Sequence, residues 1–233
     1  MTSFVNQLIA ACQQPIKEAV FLEGYRAVLE QVATPGSFVL HGLQLDAGAG
    51  VYSPHDTSST RFFADHFEAA GLLQGKGRRF LEVGCGAGAI ALLAARCGWQ
   101  AHAGDIDAAA VAATAANARA NALAVDVRQS DLFSAFSGET FDVIAFNPPF
   151  FHVDRDIAIE ERTLSDSGGS LFQRFMQGAG ALLAPGGCIV VTFSNCSNPA
   201  VFDDHEFDMA LLAFDFDGTA NYIRAMFKAT RPA

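Results

Sequence analysis

At 233 residues the chain is long enough for one sizeable core with a small appendage, and too short for two ordinary domains. Its formal charge of -10, from 15 Lys and Arg against 25 Asp and Glu, argues against the broad basic surface that tracks a phosphate backbone, so a nucleic-acid partner is disfavoured. The five cysteines form no Cys-x-x-Cys pair and no zinc-like grouping with histidine, so reduced thiols and no metal site are expected. The opening "MTSFVNQLIAACQQPIKEAV" has no basic leader, and no run reaches the roughly eighteen apolar residues of a membrane helix, so a soluble, cytoplasmic protein is expected.

In chain order, residues 1 to about 32 have helical spacing, with Leu22, Ala27, Leu29 and Val32 on the expected buried face, and they end at the breaker "TPGS". "FVLHGLQLDAGAGVYSP" then offers two strand-like stretches around glycines and reads as a small β-hairpin. From residue 78 strands and helices alternate: "RRFLEVG" strand, "AGAIALLAARCG" helix, "QAHAGDI" strand, "DAAAVAATAANARANAL" helix, "AVDVRQSD" strand, "FDVIAFN" strand, "SLFQRFMQGAGALLA" helix and "CIVVTFSN" strand. That alternation predicts a doubly wound α/β architecture, a mostly parallel sheet with helices on both faces. The end, "ALLAFDFDGTANYIRAMFKATR", predicts an antiparallel hairpin at one sheet edge.

Chemistry first appears at the turn "LEVGCGAGAIAL". Gly84, Gly86 and Gly88 remove side chains where a ligand would approach the backbone, and the helix behind them offers free N–H groups. The run also satisfies the dinucleotide pattern G-x-G-x-x-G/A with an acidic residue, Asp105, about twenty positions on, so a dehydrogenase stays in play on these residues alone. Asp107 sits where an N-cap belongs and is read as one. Asn117 and Asn121 read as an ordinary polar helix face.

Taken with "SDLF" closing the third strand and "NPPF" closing the fourth, the run Glu82 to Gly88 and Asp105 resembles a class I S-adenosylmethionine-dependent methyltransferase over about residues 78–195. The resemblance implies a seven-stranded Rossmann-like sheet as residues 51–233, preceded by an N-terminal helical segment and hairpin as residues 1–50. It implies S-adenosylmethionine as cofactor, with Glu82, Gly84, Gly86 and Gly88 facing its methionyl portion and Asp105 accepting from the ribose hydroxyls. Asp131 and the Leu132 amide would hold the adenine edge, with Ile106 against its face. A carboxylate at a strand end is in any case a strong bidentate acceptor for a diol.

The tetrad Asn147-Pro148-Pro149-Phe150 carries the acceptor side. Methyl transfer from a sulfonium depends on lining up the nucleophile more than on a strong base. Consecutive prolines fix the backbone and remove N–H donors, leaving the Asn147 amide oxygen and the Pro148 carbonyl as acceptors, with Phe150 to stack on a planar group. N-methylation of a planar amide or amine is expected, with Asn147, Pro148 and Phe150 as catalytic residues and Asn147 also beside the cofactor. His152 could take up the released proton or be a plain loop residue. The acidic run "VDRDIAIEER" reads as solvated or as part of a substrate lid, and Cys85 as small rather than reactive.

"GVYSPHDTSST" resembles the segment before the glycine turn in the protein-glutamine N5-methyltransferases that act on release factors, with Val51, Pro54, Asp56 and Thr57 at the matching positions. Thr57 joins the cofactor set on that basis. The acceptor is expected to be a protein glutamine, with a small-molecule N-methyltransferase as the alternative and a nucleic-acid base as the less favoured one. An activating partner is not indicated.

Overall fold

The computed structural model describes residues 16–56, 58–149, 151–153, 165–167, 170–197, 206–218 and 222–232. Helix α1 (Glu18–Ala33) leads into a hairpin of β1 (Gly36–Leu40) and β2 (Leu43–Ala47). Its two-residue turn has both central residues at positive φ, His41 at 47° and Gly42 at 79°, the combination whose twist matches paired strands. After a short helix α2 (Ser59–Asp65) come β3 (Arg79–Val83), α3 (Ala89–Arg96), β4 (Gln100–Asp105), α4 (Ala108–Ala120), β5 (Val125–Gln129) and β6 (Phe141–Phe146). Two short strands, β7 (Phe151–Val153) and β8 (Ser165–Ser167), pair with each other. Helix α5 (Ser170–Leu182) runs into β9 (Leu183–Ser194), and β10 (Asp208–Asp217) with β11 (Tyr222–Thr230) ends the chain.

The main sheet has seven strands in the order β10-β11-β9-β6-β3-β4-β5. Strands β3, β4, β5, β6 and β9 pair in parallel, and β11 and β10 are antiparallel at one edge, as the alternation and the terminal hairpin signal predicted. The order reverses at β3, the first strand of the alternating region, with β4 on one side and β6 on the other. In open sheets of this kind the crevice for a ligand opens at such a reversal, beyond the strand C-termini.

Period-two alternation divides the core. Leu81, Val83, Ile144 and Phe146 point to one face and pack with Phe172, Phe175 and Met176 of α5. Phe80, Val143 and Ala145 point to the other and pack with Leu40, Leu43 and Leu45 of the hairpin, Phe62 and Phe63 of α2, and Ile90 and Leu93 of α3. Most of the described phenylalanines are buried in these two clusters. Among the described residues no helix is long and apolar enough to cross a membrane.

Two expectations need correction. The inner face of α1 is Phe21, Tyr25, Val28, Leu29 and Val32, packed against Phe151, Tyr52 and Tyr222, while Leu22 is 42 % exposed and Ala27 is exposed as well. The stripe at spacing four, three, one and three is the one that finds aromatic partners, and Leu22 lies one residue off it, about 100° round the helix. Nor do Asn117 and Asn121 form a solvated face. Asn117 is buried: its Oδ1 accepts from the Asp46 N–H, and its Nδ2 donates to the Asp46 and Ala87 carbonyls, each at 2.9 Å. Asn121 repeats the exchange with Gln44 at 2.9 and 2.7 Å. The two amides thus satisfy the free edge of β2 as a neighbouring strand would, and fasten the hairpin to the glycine turn.

Candidate active site

Strand β3 ends in Val83 and the chain turns through Gly84, Gly86 and Gly88, at φ 65°, 52° and 79°, into α3. A Cβ at Gly88 would stand 2.5 Å from Thr114, so helix α4 comes too close for any other residue there. Around the turn opens a cavity of about 950 Å³. This is near the upper end of the roughly 300–1,000 Å³ of single-ligand sites, room for a cofactor beside an acceptor group.

Its floor is acidic. Asp105, closing β4, accepts from the Gly86 N–H through Oδ2 at 2.9 Å and from the Asp107 N–H through Oδ1 at 3.0 Å, leaving lone pairs on both oxygens. Burial raises its pKa above the ordinary carboxylate value. Glu82 is buried, and burial pushes its pKa up to about 8 although Oε2 accepts from the Ala91 N–H at 2.7 Å. Glu82 therefore lines the cavity while capping α3. Asp107 caps α4 through the Ala109 N–H, as read from the sequence. Cys85 is buried and burial holds its thiol well above the ordinary value, consistent with a small, unreactive residue.

Asp131 and Leu132 line the cavity beside Ile106, which is 56 % exposed. Leu132 has φ 48°, a positive value in a residue with a side chain. Asp131 is held by Arg174 of α5, whose Nη2 lies 2.8 and 2.9 Å from its two oxygens. Nothing in the sequence pattern pointed to Arg174, because α5 follows the corner by some twenty residues.

Across the cavity stand Asn147, Pro148 and Pro149. The Asn147 amide donates through Nδ2 to Ser59 Oγ at 3.0 Å and Thr60 Oγ1 at 3.2 Å, and accepts from Thr192 Oγ1 at 2.5 Å. Tyr52, whose hydroxyl lies 3.3 Å from Ser59 Oγ, and Tyr222 close this side, and burial raises the pKa of both. Helix α1 roofs it through Val20, Gly24 and Val28. Phe151, next after the tetrad, meets Phe21 and Tyr25 edge-on at 5.3 and 5.1 Å.

Of the other sequence candidates, Val51 and Pro54 line the cavity, while the Asp56 side chain is 94 % exposed and pairs with Arg61, away from it. His152 does not line the cavity; its N–H donates to the Cys196 carbonyl at 2.8 Å. Phe150, Thr57 and nearly all of "VDRDIAIEER" lie outside the described residues. Ser59 and Thr60, missed in the sequence, stand two and three residues beyond the Asp56-Thr57 pair singled out there, so the right segment was found although its Asp56 carboxylate points away from the cavity.

The family model for the methyltransferase small domain matches residues 42–205. A ribosomal RNA small subunit methyltransferase C of Chromohalobacter salexigens is 36 % identical over 167 residues, 71 % of this chain and 46 % of that protein. A release factor glutamine methyltransferase of Xylella fastidiosa is 38 % identical over 126 residues, 49 % of this chain and 46 % of that protein. The chain thus spans about half the length of these curated relatives. Among solved structures, the 16S rRNA N2 G1207 methyltransferase of T. thermophilus in complex with AdoMet and guanosine superposes with a TM-score of 0.64 at 24 % identity. That match covers 85 % of this chain and 50 % of the other.

Proposed function

Because the chain belongs to the methyltransferase small domain family, we propose that it is an S-adenosylmethionine-dependent N-methyltransferase whose acceptor is a planar NH2 group, read here as the side-chain amide of a protein glutamine. The observation that carries the reading is the Asn147 amide, fixed by three hydroxyls at the wall of the cavity that the glycine turn opens onto.

The residues present fit the cofactor. Glu82, Asp105, Asp107 and Asp131 line the cavity, with Arg174 the one arginine among its described lining residues; the three aspartates make a field suited to a ligand bearing a sulfonium and an ammonium, and such a cation beside Glu82 would favour its ionised form. Asp105 keeps lone pairs for a ribose diol, and Leu132 presents its backbone at an unusual positive φ beside Ile106, where a flat base can rest. When bound, S-adenosylmethionine supplies a methyl group made electrophilic by the sulfonium. Asn147 Oδ1 and the Pro148 carbonyl accept the two N–H bonds of the acceptor and so turn its nitrogen lone pair toward that methyl. The acceptor nitrogen, cationic once methylated, would give its proton to solvent. Positioning is the protein's task, and no strong base is required at the corner.

The acidic lining favours a protein amide over a phosphate-bearing acceptor. One observation favours a second reading, an exocyclic amine of an RNA base: the alignment with the ribosomal RNA enzyme runs over 71 % of the chain, against 49 % for the release factor enzyme. Radiolabelled methyl transfer into a size-fractionated lysate, with and without ribonuclease, separates the two. Label on a Gln side-chain nitrogen of a protein supports the first reading. Ribonuclease-sensitive label replaces it with the second, and label confined to small molecules removes both.

A further inference from the structure

The wall behind Asn147 holds an arrangement that the tetrad itself does not explain. Strand β6 pairs in parallel with β9 so that Phe146 lies beside Val191, and the next residues, Asn147 and Thr192, fall side by side. Thr192 is fully buried and, unlike Asn147, is not among the residues lining the cavity. Its Oγ1 lies 2.5 Å from Asn147 Oδ1, a length within the O–H···O range and short of the N–H···O range, which identifies the amide end it meets as oxygen. The other end meets Ser59 and Thr60, in the first turn of α2, at 3.0 and 3.2 Å, lengths proper to N–H donors.

We propose that Thr192, assisted by Ser59 and Thr60, is a positioning residue that locks the Asn147 amide with its oxygen presented to the acceptor and both of its hydrogens withheld from the cleft. The inference rests on the reading of Asn147 given above. A carboxamide has two N–H donors and an oxygen with two lone pairs. Ser59 and Thr60 use both donors, and Thr192 uses one lone pair. One lone pair remains, so Asn147 can accept from an N–H and has nothing to donate to a hydroxyl or carbonyl acceptor. A flipped amide would present the reverse. Since the two ends of the group are nearly the same size and a hydroxyl can donate or accept, neither packing nor partner type chooses between them; the 2.5 Å approach of Thr192 Oγ1, too short for an N–H donor, does. The lock thereby makes the site select a nitrogen bearing hydrogens.

The test compares Thr192→Val, which keeps the side-chain shape and removes the hydroxyl, with Thr192→Ser, which keeps the hydroxyl. Exchange of the Asn147 side-chain amide protons is read by NMR on 15N-labelled protein, with the resonance assigned by its absence in Asn147→Ala. Methyl transfer from radiolabelled S-adenosylmethionine is measured into the lysate fraction that wild type labels, and affinity for S-adenosylmethionine by calorimetry. In Thr192→Val the amide exchange is expected to quicken about tenfold, because an amide no longer held at its oxygen turns its Nδ2 hydrogens away from Ser59 and Thr60 more often. Transfer is expected to fall by about 10- to 100-fold as the acceptor is misaligned, at unchanged cofactor affinity. Thr192→Ser is expected to restore both. Ser59→Ala, with Thr192 in place, is expected to quicken exchange too, and stands in should Thr192→Val not fold. Wild-type exchange in Thr192→Val overturns the lock, and so does a fall in cofactor affinity matching the fall in rate. Exchange is measured without any acceptor, so a wild-type protein that labels nothing contradicts the proposed function while the lock is still decided by the amide protons.

Discussion

On the glycine-turn side of the cleft the contacts run through the main chain, whereas on the Asn147 side they run between side chains far apart in sequence. Glu82 and Asp105 are held by the N–H groups of Ala91, Gly86 and Asp107, all within one strand-turn-helix unit or its neighbour. Asn147 is held by hydroxyls 45, 87 and 88 positions away, on two elements, β9 and α2, that meet only when the sheet and α2 are assembled. The difference teaches what each side can tolerate. A main-chain cradle survives the loss of a single side chain better than a side-chain lock does, and it leaves a local signature in the sequence.

The largest effect expected is on the acceptor side. Asn147→Ala is expected to lower turnover by about 100-fold or more, since its contact matters most as the nitrogen lines up with the methyl group. Steady-state rates with saturating cofactor measure this. Asp105→Ala should do the converse, weakening S-adenosylmethionine by about 10- to 100-fold, the worth of a hydrogen bond or two to a charged acceptor of about 1.5–3 kcal/mol, while turnover at saturation is largely kept. A variant that moved both quantities together would erase the division between the two sides.

Next comes the fastening between them. Asn117→Ala removes three hydrogen bonds and leaves Asp46 groups of β2 unpaired, so urea unfolding should show stability reduced by about 2 kcal/mol. An unchanged midpoint would mean that the hairpin is held by its apolar face alone. The acidic floor gives a pH signature. Glu82 titrates near 8 in the folded chain against 4.5 when exposed, so between those values the folded state binds the extra proton. Stability attributable to this group therefore falls as pH rises from 4.5 to about 8, and Glu82→Gln is expected to flatten that slope. A steeper slope in the variant would contradict the assignment. The smallest effect belongs to Arg174. Its pair with Asp131 is half exposed, so Arg174→Ala should change cofactor affinity by no more than about 1 kcal/mol, and less at high salt.

How far the sequence could be read follows from the same division. The seven-stranded sheet was legible because each strand and helix carries its own period, and because Leu81, Val83, Phe80 and Val143 alternate as a sheet buried on both faces requires. The glycine turn and Asp105 were legible because their spacing is local. Thr192 was not, since its place beside Asn147 depends on the register of β6 with β9, which no period encodes. Asn117 looked like surface because a polar residue on a helix normally is; only the free edge of β2 above it makes burial favourable. On α1, Leu29 and Val32 were placed correctly and Leu22 and Ala27 were not, for a related reason: the partners Phe151 and Tyr222 that fix the buried stripe lie more than a hundred residues on.

Calorimetric titration of S-adenosylmethionine into wild-type and Asn147→Ala protein tests the central claim most directly, that a main-chain cofactor site stands independently of the side-chain lock facing it. Saturable binding in both, with dissociation constants agreeing to within about twofold, is the predicted result, a difference of less than half a kcal/mol. No binding to wild type, or binding lost together with Asn147, would contradict it.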